Sequence, residues 1–297
     1  MDKKKLLIIL GVIGLVLVCA GAVMGGSPSS IPSMFSEANP PEGILNPADV
    51  KTSDVHAIEL NLVNSNLTIK TGKQFDLSGT GVYGSYVKDG VYYAGADDTK
   101  YAANIFGLKI SVPAKWVCGH GSYVLTIPEK AKLDSITIRT SYSDVAADTL
   151  QAANLTISMK YGNLIINHAT ADTASVSVKH GNVNIQNALI ASSGEIKASK
   201  KITIGSETSI ENSLNSVSLT SSWGDISLMG EVLGSSQIQT NRGDATLTLP
   251  GSSANYGLTT QAGDLNISPT AGSETSTEHF ADISFDCKHG AASVNFQ

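Results

Sequence analysis

Leu155-Thr156-Ile157-Ser158-Met159-Lys160-Tyr161-Gly162-Asn163-Leu164-Ile165-Ile166 is the stretch that decides the fold. Two short runs in it alternate apolar with polar side chains, the period of a half-buried strand, and Lys160-Tyr161-Gly162-Asn163 between them has the composition of a turn. The unit recurs at 135–145, 176–185, 217–228, 238–249, 257–267 and 285–296. The residue after the turn glycine, or its equivalent, falls at Asp144, Asn163, Asn182, Asp225, Asp244, Asp264 and, displaced, Ala291. Successive intervals are nineteen, nineteen, forty-three, nineteen, twenty and twenty-seven residues. The long gap has room for two units, and Ser193-Gly194-Glu195-Ile196 supplies a weak copy inside it. A period near twenty made only of strands and turns predicts an all-β β-solenoid, because so small a coil buries its apolar face only against its neighbours.

The repeat predicts which side chains form the interior. Alternate residues of a strand face opposite ways, so Val176, Val178, Val183 and Ile185 point inward while Ser175, Ser177 and Asn184 point out. One period earlier Leu155, Ile157, Leu164 and Ile166 take the same places. Gly162, Gly181, Gly224, Gly243 and Gly263 mark corners where a tight bend or a positive φ is expected. The Asn or Asp after each can bond neighbouring backbone, which accounts for these carboxylates without a metal.

Only 15% of the 297 residues are charged and the net charge is −6. That argues against a nucleic-acid partner, which calls for a basic stripe. The regular alternation argues equally against a disordered chain.

Ahead of the repeat, Lys3, Lys4 and Lys5 precede the uncharged run Leu6 to Met24. The run predicts an N-terminal hydrophobic helix within residues 1–26, and lysines before it favour export of the chain downstream. Two readings are open. In one, residues 6–24 make the chain a single-pass protein of the cell membrane with its C-terminal domain extracytoplasmic. In the other, a signal peptide is cleaved near Ala20-Gly21-Ala22 and the product is secreted. Residues 27–49, rich in Pro, Ser and Asn, read as a linker or stalk. Residues 50–297 read as the solenoid domain, with a Gly/Tyr-rich loop inserted near 79–103. Leu108–Pro113 is expected to restore the ladder after it, and Tyr123–Pro128 to carry it forward. Cys118 and Cys287 sit at distant coils, too far apart to pair, and read as free thiols.

Two groups of residues are candidate binding sites. The position before the turn glycine carries Tyr161, His180, Trp223, Arg242 and His289, with Tyr142 in the equivalent place. These side chains are expected to form a surface column bordered by Lys160, Lys179 and Lys288. It serves either to stiffen the solenoid or as an adhesive strip. The second group, Tyr83, Tyr86, Tyr92, Tyr93 and Tyr101 in the inserted loop, serves either to pack the base of that loop or as a binding platform. His180 alone brings too few ligands for zinc. Arg242-Gly243-Asp244, the tripeptide that integrins read, is here one of the repeated corners. The Asp column could act in catalysis only if two carboxylates projected together into a groove, and repetition already explains it. The sequence holds no nucleophile-elbow, zincin or phosphate-loop motif, so no cofactor or metal is expected.

The Gly-[Asp/Asn]-[Leu/Ile/Val] repeat, Thr248-Leu249-Pro250, and Ile127-Pro128 followed by Leu133-Asp134-Ser135-Ile136-Thr137-Ile138 resemble the adhesin-like family of bacterial envelope proteins defined by the domain of unknown function 4097. The resemblance spans Val55 to Phe296. It implies a single-chain, right-handed β-helix at a cell surface and brings no catalytic residue with it. The expected function is that of a non-enzymatic extracytoplasmic binding protein, an adhesin or a module for envelope organisation or sensing. Its expected partners are a wall polymer, a glycan or an envelope protein. The alternatives are a glycan-processing enzyme of β-helix type, or a structural rod that self-associates through the solenoid ends, where Ala292–Phe296 is expected to lie uncapped.

Overall fold

Strand alternation becomes a continuous interior because each coil lies over the next in register. The structure, a computed structural model, describes residues 35–37, 54–80, 84–95, 100–105, 108–113, 121–205, 212–268 and 280–297. Its strands up to Pro128 are β1 (Phe35–Glu37), β2 (Ala57–Leu62), β3 (Ser65–Gly72), β4 (Asp76–Thr80), β5 (Gly84–Lys88), β6 (Val91–Gly95), β7 (Lys100–Ile105), β8 (Leu108–Pro113) and β9 (Gly121–Pro128). The repeats then supply β10 (Ser135–Thr140), β11 (Val145–Met159), β12 (Leu164–Val178), β13 (Val183–Ala198), β14 (Ile202–Ile204), β15 (Ser213–Asn215) and β16 (Val217–Ser221). They continue with β17 (Ile226–Met229), β18 (Glu231–Thr240), β19 (Ala245–Leu249), β20 (Tyr256–Ser268) and β21 (Ala281–Phe296).

Within β11 the alternation fails twice, at Asp148-Thr149 and at Ala153-Asn154, where two successive residues both turn away from the core. Each failure is a bend, so one long strand lines three faces of a coil. β12 bends at the matching places and pairs with β11 in parallel, Val145 beside Leu164 and Ile157 beside Val176. We call the face containing β10, β16 and the last third of β11 the first face. The second contains β3, β14, β17, β19 and the first third of β11, and the third contains β15 and the middle of β11. Val176, Val178, Val183, Ile185, Leu155, Ile157, Leu164 and Ile166 are all buried. The result is an all-β fold with a solenoid-like core of stacked coils.

Both ends of the stack are built by insertion. β2 lies between β10 and β6, and β3 between β11 and β9, so the first coil in sequence is not the outermost. Antiparallel β4 and β5 cover β9 and β6 in turn. At the other end β21 runs between β18–β19 and β20. The aliphatic interior is closed by rings: Phe75 stacks on Tyr92 at 5.5 Å at one end. Tyr256 meets Phe280 and Phe296, each at 5.7 Å, at the other. Small branched side chains fill the narrow middle, and larger rings cover the ends where no further coil is stacked.

Several expectations are corrected. The last strand is not uncapped: β21 is paired on both sides, and the outer strand is β20, most of whose residues are exposed or half-buried. Leu108–Pro113 does not rejoin the ladder, since β8 pairs antiparallel with β7, and β7 with β1. Phe35–Glu37, within the expected linker, is thus a strand. Tyr123–Pro128 precedes the first coil in the stack rather than following it. Ser193-Gly194-Glu195-Ile196 is no corner but part of the first face, Gly194 lying between Ala174 and Val217. The expectation of a transmembrane helix, and with it a membrane partner and a single-pass cell-membrane location, is also corrected. Among the described residues no helix is long and apolar enough to cross a membrane. Residues 6–24 lie outside the described residues, as does Cys118. Cys287 is free and fully buried.

Candidate functional site

The corner between the first and second faces repeats in every coil, and two columns of side chains run along it. The inner column belongs to Asn and Asp. Each accepts, through Oδ1, the backbone amide of the residue stacked on it: Asn66 from Asp144 at 3.0 Å, Asp144 from Asn163 at 2.7 Å, and Asn163 from Asn182 at 3.2 Å. Asn182 accepts from Lys201 at 3.2 Å, and a second run joins Asp225 to Asp244 at 3.0 Å and Asp244 to Ala291 at 2.9 Å. The sequence assigned these side chains to neighbouring backbone, and the backbone they reach is that of the next coil. Lys201 completes the column in the long gap, where no Gly-Asx pair advertised it.

These carboxylates are engaged as acceptors along an exposed corner, which suits structure rather than proton transfer. Among the described residues no group of three or more His, Cys, Asp or Glu is placed to hold a metal, so His180 gains no co-ligands.

The outer column carries the aromatic candidates. Tyr142 stacks on Tyr161 with centroids 4.7 Å apart and planes 5° from parallel, and Tyr161 on His180 at 4.5 Å and 14°. Those separations match the roughly 4.8 Å step between paired strands, so the rings stack because their coils do. Lys160 Nζ lies 5.7 Å from the Tyr161 ring centre. Further along, the Arg242 guanidinium lies over the Trp223 ring at 4.5 Å. His289 occupies the same corner of the coil beyond, Gly290 packing on Gly243. Tyr142 and Trp223 are 51% and 62% exposed, the highest values among the large apolar side chains of the described residues. In Arg242-Gly243-Asp244 both charged groups are engaged within the fold, one on Trp223 and the other on the Ala291 amide.

Of the inserted-loop tyrosines, Tyr92 is not a surface residue. Tyr92 is 1% exposed and belongs to the core, where alternation along β6 turns it inward, and Tyr93 is half-buried. Tyr86 lies in β5 opposite Tyr93, Tyr101 lies in β7, and Tyr83 is outside the described residues. Sequence reasoning missed one feature at the far edge of the first face. There an open depression of about 380 Å³ is lined by Ser216, Val217, Ser218, Ser235, Ser236, Gln237, Gln261 and Ser284. Its lining is neutral and its residues come from four coils, so no local motif signals it.

A comparison with curated proteins finds no match. Among solved structures, the chain is similar to that of a putative adhesin from Bacteroides fragilis, at 16% identity and a TM-score of 0.44, over 82% of this chain and 92% of the other. It is also similar to a putative cell adhesion protein from Clostridium sporogenes, at 13% identity and a TM-score of 0.25, over 84% and 96%. A family model matches residues 106–284, more than half of the chain, and the chain therefore belongs to the Toastrack DUF4097 family.

Proposed function

We propose that the protein is a non-enzymatic recognition module of the cell exterior, adhesin-like, that binds through the outer corner column. Its binding residues are Tyr142, Tyr161, His180, Trp223, Arg242 and His289, and its partner is a glycan or wall polymer. The observation that carries this reading is the rigid stack itself: large rings are held in solvent by a backbone that cannot relax around them. Side chains ordered in advance give up little entropy on binding. Leu6–Met24, read as a cleaved export signal, supports an exterior location. We read the coils as a right-handed β-helix, the hand that parallel crossovers take in nearly all sheets.

The test is binding of the intact chain to arrayed glycans and isolated wall polymers. Wild-type protein is expected to bind one class, and the Tyr142→Ala/Trp223→Ala double variant to lose at least tenfold in affinity with its melting temperature kept. Equal binding by both proteins would refute the column as the site. A second reading, lateral or end-to-end association as a rod, is favoured by β20, whose outer edge no strand covers among the described residues. Sedimentation at high concentration decides it, a strict monomer excluding the rod.

A further inference from the structure

One corner of the column is a residue short. From the last inward residue of the first face to the inner-column residue, the chain takes four steps at Thr140 to Asp144, Met159 to Asn163, Val178 to Asn182, Ser221 to Asp225 and Thr240 to Asp244. From Ala198 to Lys201 it takes three. The missing position is the one that carries a ring elsewhere. A one-residue bulge at Ala191–Ser193 on the preceding bend restores the spacing, which keeps the coils above and below in register.

The backbone passes beneath this gap without interruption. Ser199 bonds Val178 below and Trp223 above, at 3.1 and 2.9 Å. Its hydroxyl folds inward to accept the Gly181 amide at 3.2 Å, so it does not fill the space. His180 is covered by Tyr161 on one side and Trp223 by Arg242 on the other. The corner positions of His180 and Trp223 thus flank the short coil on its two sides, and no ring contact joins them among the described residues. Two strand steps put the walls roughly 9.5 Å apart. A flat ring touching both walls needs about 7 Å between them, whereas a puckered saturated ring with hydrogens on both faces needs about 8–9 Å.

The charge around the notch narrows the ligand further. Lys179, Lys200 and Lys201 are exposed there, and none forms an ion pair among the described residues. Asp225 is the one carboxylate on the adjoining corner. This is a local basic excess in a chain of net charge −6.

We propose that the notch between His180 and Trp223 holds one carboxylated pyranose ring, sandwiched by the two side chains, with its carboxylate answered by the lysines. The inference rests on the column being the binding surface and names the sugar class it takes. Oligogalacturonate and its neutral galactose counterpart are the probes, titrated into the intact protein by calorimetry. The acidic oligomer is expected to bind at least tenfold more tightly than the neutral one. Trp223→Ala and Lys200→Glu are each expected to weaken it at least tenfold, Trp223→Phe to restore most of the loss, and Lys130→Glu, the same charge change at an exposed lysine outside the column, to leave it unchanged. Equal affinity for the two oligomers, no measurable binding of the acidic one, or indifference to both substitutions would overturn the notch. If Tyr142→Ala abolishes glycan binding while Lys200→Glu does nothing, the notch fails and the column stands. If no sugar or polymer binds at all, both fail.

Discussion

The backbone amide of Ala291 donates to Asp244 Oδ1 at 2.9 Å across forty-seven positions of sequence, a separation that belongs to a strand inserted between earlier ones. Asp264, nearer in sequence, lies one coil further out, opposite Ala291 on its other side. The chain end is therefore an interior strand and the segment before it the edge. Hydrogen exchange is expected to show β21 amides between Phe285 and Phe296 better protected than those of β20, despite their closeness to the terminus. Faster exchange in β21 would contradict the inserted order.

Gly162 has φ +125°, and a Cβ there would run into the carbonyl of Ser143 on the adjacent coil. Both conformation and space require glycine. Gly162→Ala is expected to cost about 2 kcal/mol or more in denaturant unfolding, because the obstacle is backbone and cannot swing aside. A loss under half a kilocalorie would mean that the corners are not stacked this closely.

Asn163 stands between Asp144 and Asn182, its Oδ1 accepting the Asn182 backbone amide at 3.2 Å and Asn182 Nδ2 at 2.8 Å, and its Nδ2 donating to Asp144 at 3.3 Å. Asn163→Ala removes all three bonds and is expected to cost about 1–2 kcal/mol. Asn163→Asp keeps the acceptor but places two carboxylates one coil apart. Their repulsion raises the carboxyl pKa values of the folded variant, so its deficit against wild type is expected to grow as pH rises from 3 to 6. Melting curves across that range check the slope.

Burial, with a smaller effect from Glu231, pushes the Tyr256 hydroxyl up from 10.0 to about 12. The unfolded chain releases this proton first. The stability it reflects is thus complete below pH 10 and is lost between 10 and 12, by roughly 2 kcal/mol. Burial likewise raises the Cys287 thiol, adding a decline that begins near pH 9. Urea unfolding at pH 8 and pH 11 is expected to show the drop, and Tyr256→Phe to reduce it. An unchanged slope in that variant would assign the drop elsewhere.

Cys287 is also expected to resist alkylation in the native protein and to react on unfolding, because its sulfur is fully enclosed. Mass spectrometry after iodoacetamide treatment reads the difference.

What the sequence determined by itself was the coil. Alternation placed Val176, Val178, Val183 and Ile185 inside, and the nineteen-residue spacing placed Tyr142, Tyr161 and His180 on one corner, because both arise from local strand geometry repeated without change. Tertiary structure alone decided the order of the ends, the role of Lys201, and the burial of Tyr92. Parallel strands offer the same hydrogen-bonding edge to whichever coil comes next, so nothing local tells β21 to enter between β19 and β20. Room for Phe296 against Tyr256, known only once the interior is closed, makes that choice.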